Sequence, residues 1–145
     1  MSLHYLGSSA CWIKRYFNES GSASLRTLFD GHAALACCRF GLVEVAAAIS
    51  RRAHHEGIDA ACIAAQVELA RRDFALFTHV ALTENVWALN ESLGPRHRMR
   101  GADALHLAAA MTLAAQASGQ VTMVSSDAEL VQAAKSEGLT VLNRV

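Results

Sequence analysis

Short apolar runs alternate with longer helical patterns along the whole chain, and this alternation constrains the fold more than any other feature. Five runs are typical of buried β-strands: Leu3 to Leu6, Ala33 to Cys37, Leu76 to Leu82, Val121 to Val124 and Thr140 to Leu142. Strands that are separated by helices pair in parallel, because a parallel connection needs a crossover. The sequence therefore predicts a three-layer α/β/α domain with a largely parallel five-stranded sheet. Its ligand site is expected at the carboxyl ends of the strands.

Capping residues indicate where several helices begin. Asp59 and Thr83 each stand before a helical pattern and are predicted N-caps. Ser126 and Glu129 have the spacing of a capping box, which predicts a helix directly after the fourth strand. Pro95, the single proline, is predicted to lie in a short loop.

Composition excludes several classes of protein. The chain of 145 residues has 13 basic and 13 acidic side chains, which argues against disorder and against a strongly basic nucleic-acid arm. It lacks an apolar run of membrane-spanning length, and its first residues do not resemble a secretion signal. We therefore expect a single cytoplasmic domain over residues 1–145. Four cysteines without CxxC spacing are interpreted as reduced core residues: Cys11, Cys37, Cys38 and Cys62.

The segment from Arg100 to Gln116 is apolar almost all the way round a helix, which predicts that this helix is buried. Asp103 stands in its first turn. A buried lone carboxylate costs several kcal/mol unless it is paired, capped or bound to a metal ion. The alternative is an acid that is favoured simply by the helix N-terminal dipole.

Three acids stand at predicted element boundaries with apolar neighbours: Glu44 in LVEVAAAI, Asp103 in GADALHLAAA and Asp127 in VSSDAELV. Each one alone is better explained by a capping or surface role. Together they describe an acidic pocket that is built from separate segments. Such a pocket suits Mg²⁺ or Mn²⁺, which bind oxygen ligands and activate water. Phosphodiester hydrolysis is the reaction that these residue types favour.

Four blocks of the chain, in order, resemble the PIN-domain family and especially the VapC-like toxins of bacterial toxin–antitoxin pairs. The blocks are YLGSSACWIKRYFNESGS from Tyr5, LVEVAAAISRR from Leu42, MRGADALHLAAA from Met99 and MVSSDAELVQAAKSEGLTVLN from Met123. The resemblance implies a PIN fold and an endoribonuclease that uses Mg²⁺ or Mn²⁺. It also implies an RNA substrate and a small cognate antitoxin as partners.

The same resemblance implies roles for individual residues. Glu44, Asp103 and Asp127 match three acidic metal-site positions of the family, and Ser9 and Ser125 match small hydroxyl positions that support them.

Gly7 departs from the family pattern. Members usually have aspartate at this position, where it is the central metal ligand, so the resemblance implies an enzyme that is inactivated or impaired. Three origins stay open: a naturally inactive paralogue, an engineered inactive variant, and a variant selected during expression because the active toxin harms its host.

Basic side chains are candidates for binding RNA phosphates. Arg96, Arg98 and Arg100 form a predicted basic loop just before Asp103, although a solvated loop fits equally well. Lys14 and Arg15 match basic positions of the first block, and a pair at a helix C-terminus would look the same. His106 is interpreted as a core hydrogen-bonding residue. Apolar helical faces are expected to serve the core, a homodimer or the antitoxin.

Two functions from different classes remain. The first is a PIN-domain ribonuclease that is impaired at Gly7, and the second is a catalytically dead PIN domain that acts as an antitoxin-binding or regulatory module. A phosphotransfer domain is disfavoured, because no DxD motif follows the first strand and no Walker glycine loop is present.

Overall fold

The central element is a five-stranded parallel sheet, seen in a computed structural model that describes residues 2–31 and 33–145. Its strands are β1 (Leu3–Leu6), β2 (Ala34–Cys38), β3 (Thr78–Val80), β4 (Val121–Val124) and β5 (Thr140–Leu142). The strand order is β3-β2-β1-β4-β5, and every neighbouring pair is parallel. The predicted α/β class and parallel sheet are confirmed. The order places β1 in the middle, with β2 and β4 beside it.

Helices connect the strands and complete the α/β architecture. They are α1 (Ser9–Trp12), α2 (Ser22–Asp30), α3 (Arg39–His55), α4 (Ala60–Ala75), α5 (Glu84–His97), α6 (Gly101–Gln116) and α7 (Ala128–Ser136). Two predicted N-caps are confirmed. The Asp59 carboxylate accepts from the Cys62 N–H at 2.9 Å, and the Thr83 hydroxyl accepts from the Val86 N–H at 3.4 Å. None of the described helices has the length and apolar character needed to cross a membrane.

Two local predictions were wrong. Pro95 lies inside α5 rather than in a loop, and the helix ends at His97, where Arg98 takes a left-handed backbone with φ 54°. Proline removes one helical hydrogen bond, but α5 packs along α6 and this packing holds the turn together. At α7 the N-cap is Asp127 and not Ser126, because the Asp127 side chain accepts from the Leu130 N–H at 2.9 Å.

The buried helix predicted from the apolar pattern is α6. Its side chains from Ala104 to Ala110 are all buried, and the helix packs on β2, β3 and β4. The first turn of α6 therefore lies close to the carboxyl ends of the central strands. This placement brings Asp103 to the edge where the loops after β1 and β4 meet.

Candidate active site

A cavity of about 240 Å³ lies where the chain leaves β1 and β4. Glu44, Asp103 and Asp127, which belong to three different segments, all line it. The remaining wall is formed by Ser8, Ser9, Ala10, Arg100, Ala102 and His106. We call this cavity the acidic pocket. Five of the predicted site residues, Ser9, Arg100 and the three acids, thus line one cavity.

Glu44 is held by a histidine from another helix. The Nε2 atom of His106 lies 2.5 Å from Glu44 Oε1, and its Nδ1 atom lies 3.0 Å from the Tyr5 hydroxyl. Burial by itself lowers the pKa of His106, but its hydrogen bonds with Cys38 and Glu44 outweigh burial and raise the pKa to about 9. A protonated imidazole therefore faces the Glu44 carboxylate. His106 is buried and hydrogen-bonded at both ring nitrogens, as its interpretation as a core residue predicted.

Asp103 lies in the first turn of α6 and faces the other acids. Burial raises the pKa of Asp103, and the negative charges of Asp127 and Glu44 raise it further, while Arg100 and His106 oppose the shift. The Arg100 Nε atom is 3.6 Å from Asp103 Oδ2, yet the Arg100 side chain is 85% exposed. A mostly hydrated arginine screens the pocket weakly, so the carboxylates favour a further cation there.

Asp127 is positioned by its own backbone and by Ser125. Its N–H donates to the hydroxyl of Ser125 at 3.1 Å, and Ser125 is completely buried. One carboxylate oxygen, Oδ1, caps α7, which leaves Oδ2 for another ligand. The buried Ser125 therefore helps to orient Asp127 without lining the pocket, whereas Ser9 lies in the pocket wall.

Gly7 is the last residue before the pocket on the β1 side, and the space beside it is filled. A Cβ at Gly7 would lie 2.4 Å from Met123 Sδ and 3.2 Å from both Leu130 Cδ2 and the Val124 carbonyl oxygen. The backbone of Gly7 is not left-handed, so its conformation does not demand glycine. Sequence reasoning missed Met123, because a methionine in a buried strand reads as an ordinary core residue.

The three predicted arginines of the basic segment are not equivalent. Arg100 lines the acidic pocket, whereas Arg96 Nη1 pairs with Glu137 Oε1 at 2.6 Å. Arg98 is exposed at the end of α5 and borders a separate hollow beside α7. Arg96 lies in the last turn of α5, whereas Arg98 and Arg100 lie in the short connection between α5 and α6, and the three side chains face different surroundings.

Lys14 and Arg15 lie away from the acidic pocket and are engaged within the protein. Lys14 is buried, and its Nζ atom donates to the Val145 carbonyl oxygen at 2.6 Å. Arg15 Nε is 3.3 Å from Asp73 Oδ2, and its guanidinium lies 4.6 Å from the centre of the Phe29 ring. Their charges are used for internal contacts that hold the 3₁₀ turn after α1.

Two curated relatives match over most of the chain. Ribonuclease VapC45 of Mycobacterium tuberculosis strain CDC 1551 / Oshkosh and Ribonuclease VapC49 of strain ATCC 25618 / H37Rv are each 34% identical over 114 residues. The match covers 78% of this chain and 78% of each relative. The chain belongs to the VapC ribonuclease family. The resemblance to PIN-domain ribonucleases found in the sequence is thereby confirmed. A scan against models of known protein families found no match.

Two solved structures have a similar fold. The chain superposes on FitAcB from Neisseria gonorrhoeae with a TM-score of 0.65, 13% identity and coverage of 99% of this chain and 98% of the other. PAE2754 from Pyrobaculum aerophilum gives a TM-score of 0.60 at 13% identity and covers 97% and 87%. These likenesses confirm the PIN-like three-layer architecture.

Proposed function

We propose that the acidic pocket is an RNA phosphodiesterase site that uses Mg²⁺ or Mn²⁺ and is impaired by Gly7. The observation that carries the proposal is the meeting of Glu44, Asp103 and Asp127, from three separated segments, in one cavity. VapC ribonucleases generally depend on a divalent metal ion. The acids of this chain fit that requirement, because hard divalent cations take carboxylate oxygens and keep several waters.

The donor set of the pocket supports a particular division of labour. Asp103 and Asp127 would contact the ion, since the Asp127 Oδ2 atom does not cap α7, and burial together with the charges of Asp127 and Glu44 raises the pKa of Asp103. Glu44 stays oriented by His106 and is placed to bind or polarise an incoming water. When bound, the ion supplies an activated water and neutralises phosphate charge.

RNA would reach the pocket past Arg100. Its side chain is largely exposed and borders the cavity, so it can contact a phosphate while its Nε atom remains near Asp103. We extend the proposal to Arg98, which is exposed and lies two residues before Arg100 in the sequence. Arg96 is a weaker candidate because Glu137 already binds it. We do not propose Lys14 or Arg15, because both are engaged inside the protein.

Cleavage of a mixed RNA pool in the presence of Mn²⁺ tests this proposal. The chain itself should cleave weakly or not at all, while Gly7→Asp should cleave and the double variant Gly7→Asp/Asp103→Asn should not. Circular dichroism establishes that each variant is folded. A folded Gly7→Asp protein that leaves the RNA intact would reject Gly7 as the sole lesion, and strong cleavage by the unmodified chain would reject β1 as the source of the central ligand.

We propose as a second candidate that the chain acts as a protein-binding module. This function is favoured by the packed space beside Gly7, where the metal-binding carboxylate of the family is missing. An apolar groove of about 630 Å³ between α3 and α4 is lined by Arg39, Leu42, Val43, Ala46, Arg71, Phe74, Ala75 and His79. Val43 in this groove is 58% exposed, which is unusual for a large apolar side chain. A small antitoxin with an apolar helix and acidic flanks would suit it. Exposed apolar residues elsewhere, Leu76 and Trp87, are candidates for a homodimer contact in the cytoplasm.

Calorimetry with the co-expressed product of a neighbouring small gene tests the second candidate. We expect both the unmodified chain and Gly7→Asp to bind, the unmodified chain more weakly, because a basic antitoxin side chain would lose one carboxylate in the pocket. Val43→Asp should abolish binding and Trp87→Asp should leave it unchanged, since only Val43 lines the groove. If neither the unmodified chain nor Gly7→Asp binds, the protein-binding module is rejected and the ribonuclease proposal is unaffected.

A further inference from the structure

A second cluster of ligand-type side chains lies behind the acidic pocket, on the opposite side of the His106 ring from Glu44. Cys37 and Cys38 end strand β2, and α6 brings His106 against them. One ligand atom from each of the three residues can be chosen so that all lie within 4.8 Å of one another. The Cys38 Sγ atom is 3.9 Å from His106 Nδ1, and all three residues are buried.

We infer that Cys37, Cys38 and His106 form a second metal site, which takes a thiophilic divalent ion, Zn²⁺, and is distinct from the acidic pocket. Thiolate and imidazole ligands select zinc over magnesium or manganese, which prefer oxygen. Two thiolates and one neutral imidazole would balance the charge of a divalent ion. The buried site would then carry no net charge, which limits its desolvation cost.

The histidine ring is already oriented as a zinc ligand requires. Zinc-binding histidines usually donate their second ring N–H to a carboxylate, which fixes the ring and leaves the other nitrogen for the metal. In His106, Nε2 faces Glu44, and Nδ1 faces both the Tyr5 hydroxyl and Cys38 Sγ. Phe40 stacks on the ring with centroids 6.1 Å apart. The ring therefore has little freedom to lose when an ion binds.

The backbone of α3 packs directly against the sulfur of Cys37. A Cβ at Gly41 would lie 2.3 Å from Cys37 Sγ and 3.4 Å from His106 Cε1, so α3 approaches the cluster with bare backbone. The Tyr5 hydroxyl, 3.0 Å from His106 Nδ1, is the neighbouring oxygen for a fourth ligand position. Tetrahedral zinc with Cys₂His and one further oxygen is a common coordination set.

Proton release accompanies binding. In the metal-free protein Cys37 holds one proton as a thiol, and the Cys38–His106 pair holds two protons, both on the imidazolium of His106 beside a Cys38 thiolate. In the complex both sulfurs are thiolates and His106 keeps only the Nε2 proton that faces Glu44. Two protons therefore leave for each zinc ion bound, and no oxidant or reductant is needed.

Cobalt titration of the reduced, metal-free protein tests the inference. Co²⁺ should give thiolate-to-metal charge transfer and the intense visible bands of tetrahedral cobalt at one ion per chain, and Zn²⁺ should remove them. Cys37→Ser and Cys38→Ser should lose the charge-transfer band. Cys11→Ser is a matched buried control and Cys62→Ser an exposed one, and both should retain it. Asp103→Asn should retain it too, because Asp103 is not one of the three proposed ligands.

The zinc-loaded unmodified chain provides a test that needs no variant. X-ray absorption at the zinc edge should report two sulfur ligands and one imidazole. A shell of oxygen and nitrogen alone would place the ion elsewhere and overturn the inference. So would charge-transfer bands that survive in folded Cys38→Ser, or cobalt spectra without any thiolate band. None of these results depends on RNA cleavage.

Discussion

The carboxyl ends of β1 and β4 lie side by side in parallel, with Leu6 in register with Val124, yet they differ in chemistry. After β4 the chain carries Ser125 and Asp127, and these keep a carboxylate at the acidic pocket. After β1 the chain has Gly7, and the sulfur of Met123 fills the position that a side chain would take. One strand end therefore retains a ligand, and the other is packed with apolar atoms.

The acidic pocket keeps its shape without an acid at the end of β1. Asp127 also caps α7, and Glu44 also binds the buried His106, so both acids have structural roles that do not depend on a metal ion. A residue at the end of β1 has no such second role here. The absence of an acid at this position therefore removes charge from the pocket while Glu44, Asp103 and Asp127 stay in place.

RNA cleavage should change most when the end of β1, like the loop after β4, carries a carboxylate. Gly7→Asp should raise Mn²⁺-dependent RNA cleavage by about 100-fold, because it adds a carboxylate ligand to a site that retains three others. Gly7→Asn has the same shape without the charge and should give no such gain. Gel assays of cleavage rate measure both. Equal rates for the two variants would show that side-chain volume, not charge, matters at β1.

The next effect concerns stability without metal. In chelator, Gly7→Asp should be less stable than the unmodified chain by about 1–3 kcal/mol, because a Cβ overlaps Met123 and a fourth carboxylate repels the others. Urea unfolding measures this difference. Gly7→Asn should show the overlap without the repulsion and fall between the two proteins. A higher midpoint for metal-free Gly7→Asp, at an equal slope, would contradict the account.

A smaller effect separates the two roles of Asp127. Asp127→Ala should lose about 1 kcal/mol of stability because α7 loses its N-cap, whereas Asp127→Asn should keep most of it, since asparagine is a good N-cap. Both should lose metal-dependent cleavage in the Gly7→Asp background. For Asp127→Asn, urea unfolding should therefore show little loss of stability, while the cleavage assay should show loss of activity. Equal stability losses in the two variants would deny the capping role.

The smallest expected effect is the pH dependence of Asp103. Burial and the neighbouring carboxylates of Asp127 and Glu44 raise the pKa of Asp103 above the ordinary value for an aspartate, so the folded protein binds a proton at Asp103 more tightly than the unfolded chain does. The ionised group then costs stability above its folded pKa and costs none below the unfolded value. Asp103→Asn should raise the urea midpoint at neutral pH, and the gain should fade as the pH falls below 4. If the higher urea midpoint of Asp103→Asn persists at pH 3, a change in packing rather than the loss of charge causes it.

Much of the fold and the site follows from local chemistry. Strands β1, β4 and β5 occur within the predicted bounds, and Asp59 and Thr83 cap their helices, because apolar runs and capping side chains act over a few residues. Glu44, Asp103 and Asp127 share a pocket because parallel strands bring their carboxyl ends to one edge.

Other features depend on contacts between distant segments. The run from Leu76 to Leu82 shortens to Thr78–Val80, because Leu76 and Phe77 still belong to the turn that ends α4. Pro95 stays helical because α5 packs on α6. The contact of Met123 with Gly7, the internal partners of Lys14 and Arg15, and the Cys37–Cys38–His106 cluster arise only when separate elements meet. Sequence patterns report none of these contacts.

Binding of Mn²⁺ separates the missing carboxylate ligand at β1 from RNA recognition and turnover. Electron paramagnetic resonance of free Mn²⁺ should show that Gly7→Asp binds the ion at least about tenfold more tightly than either the unmodified chain or Gly7→Asn. Asp103→Asn should then abolish the gain. Equal affinity of the unmodified chain and Gly7→Asp, with both proteins folded, would contradict the account that β1 has lost a metal ligand from an otherwise intact site.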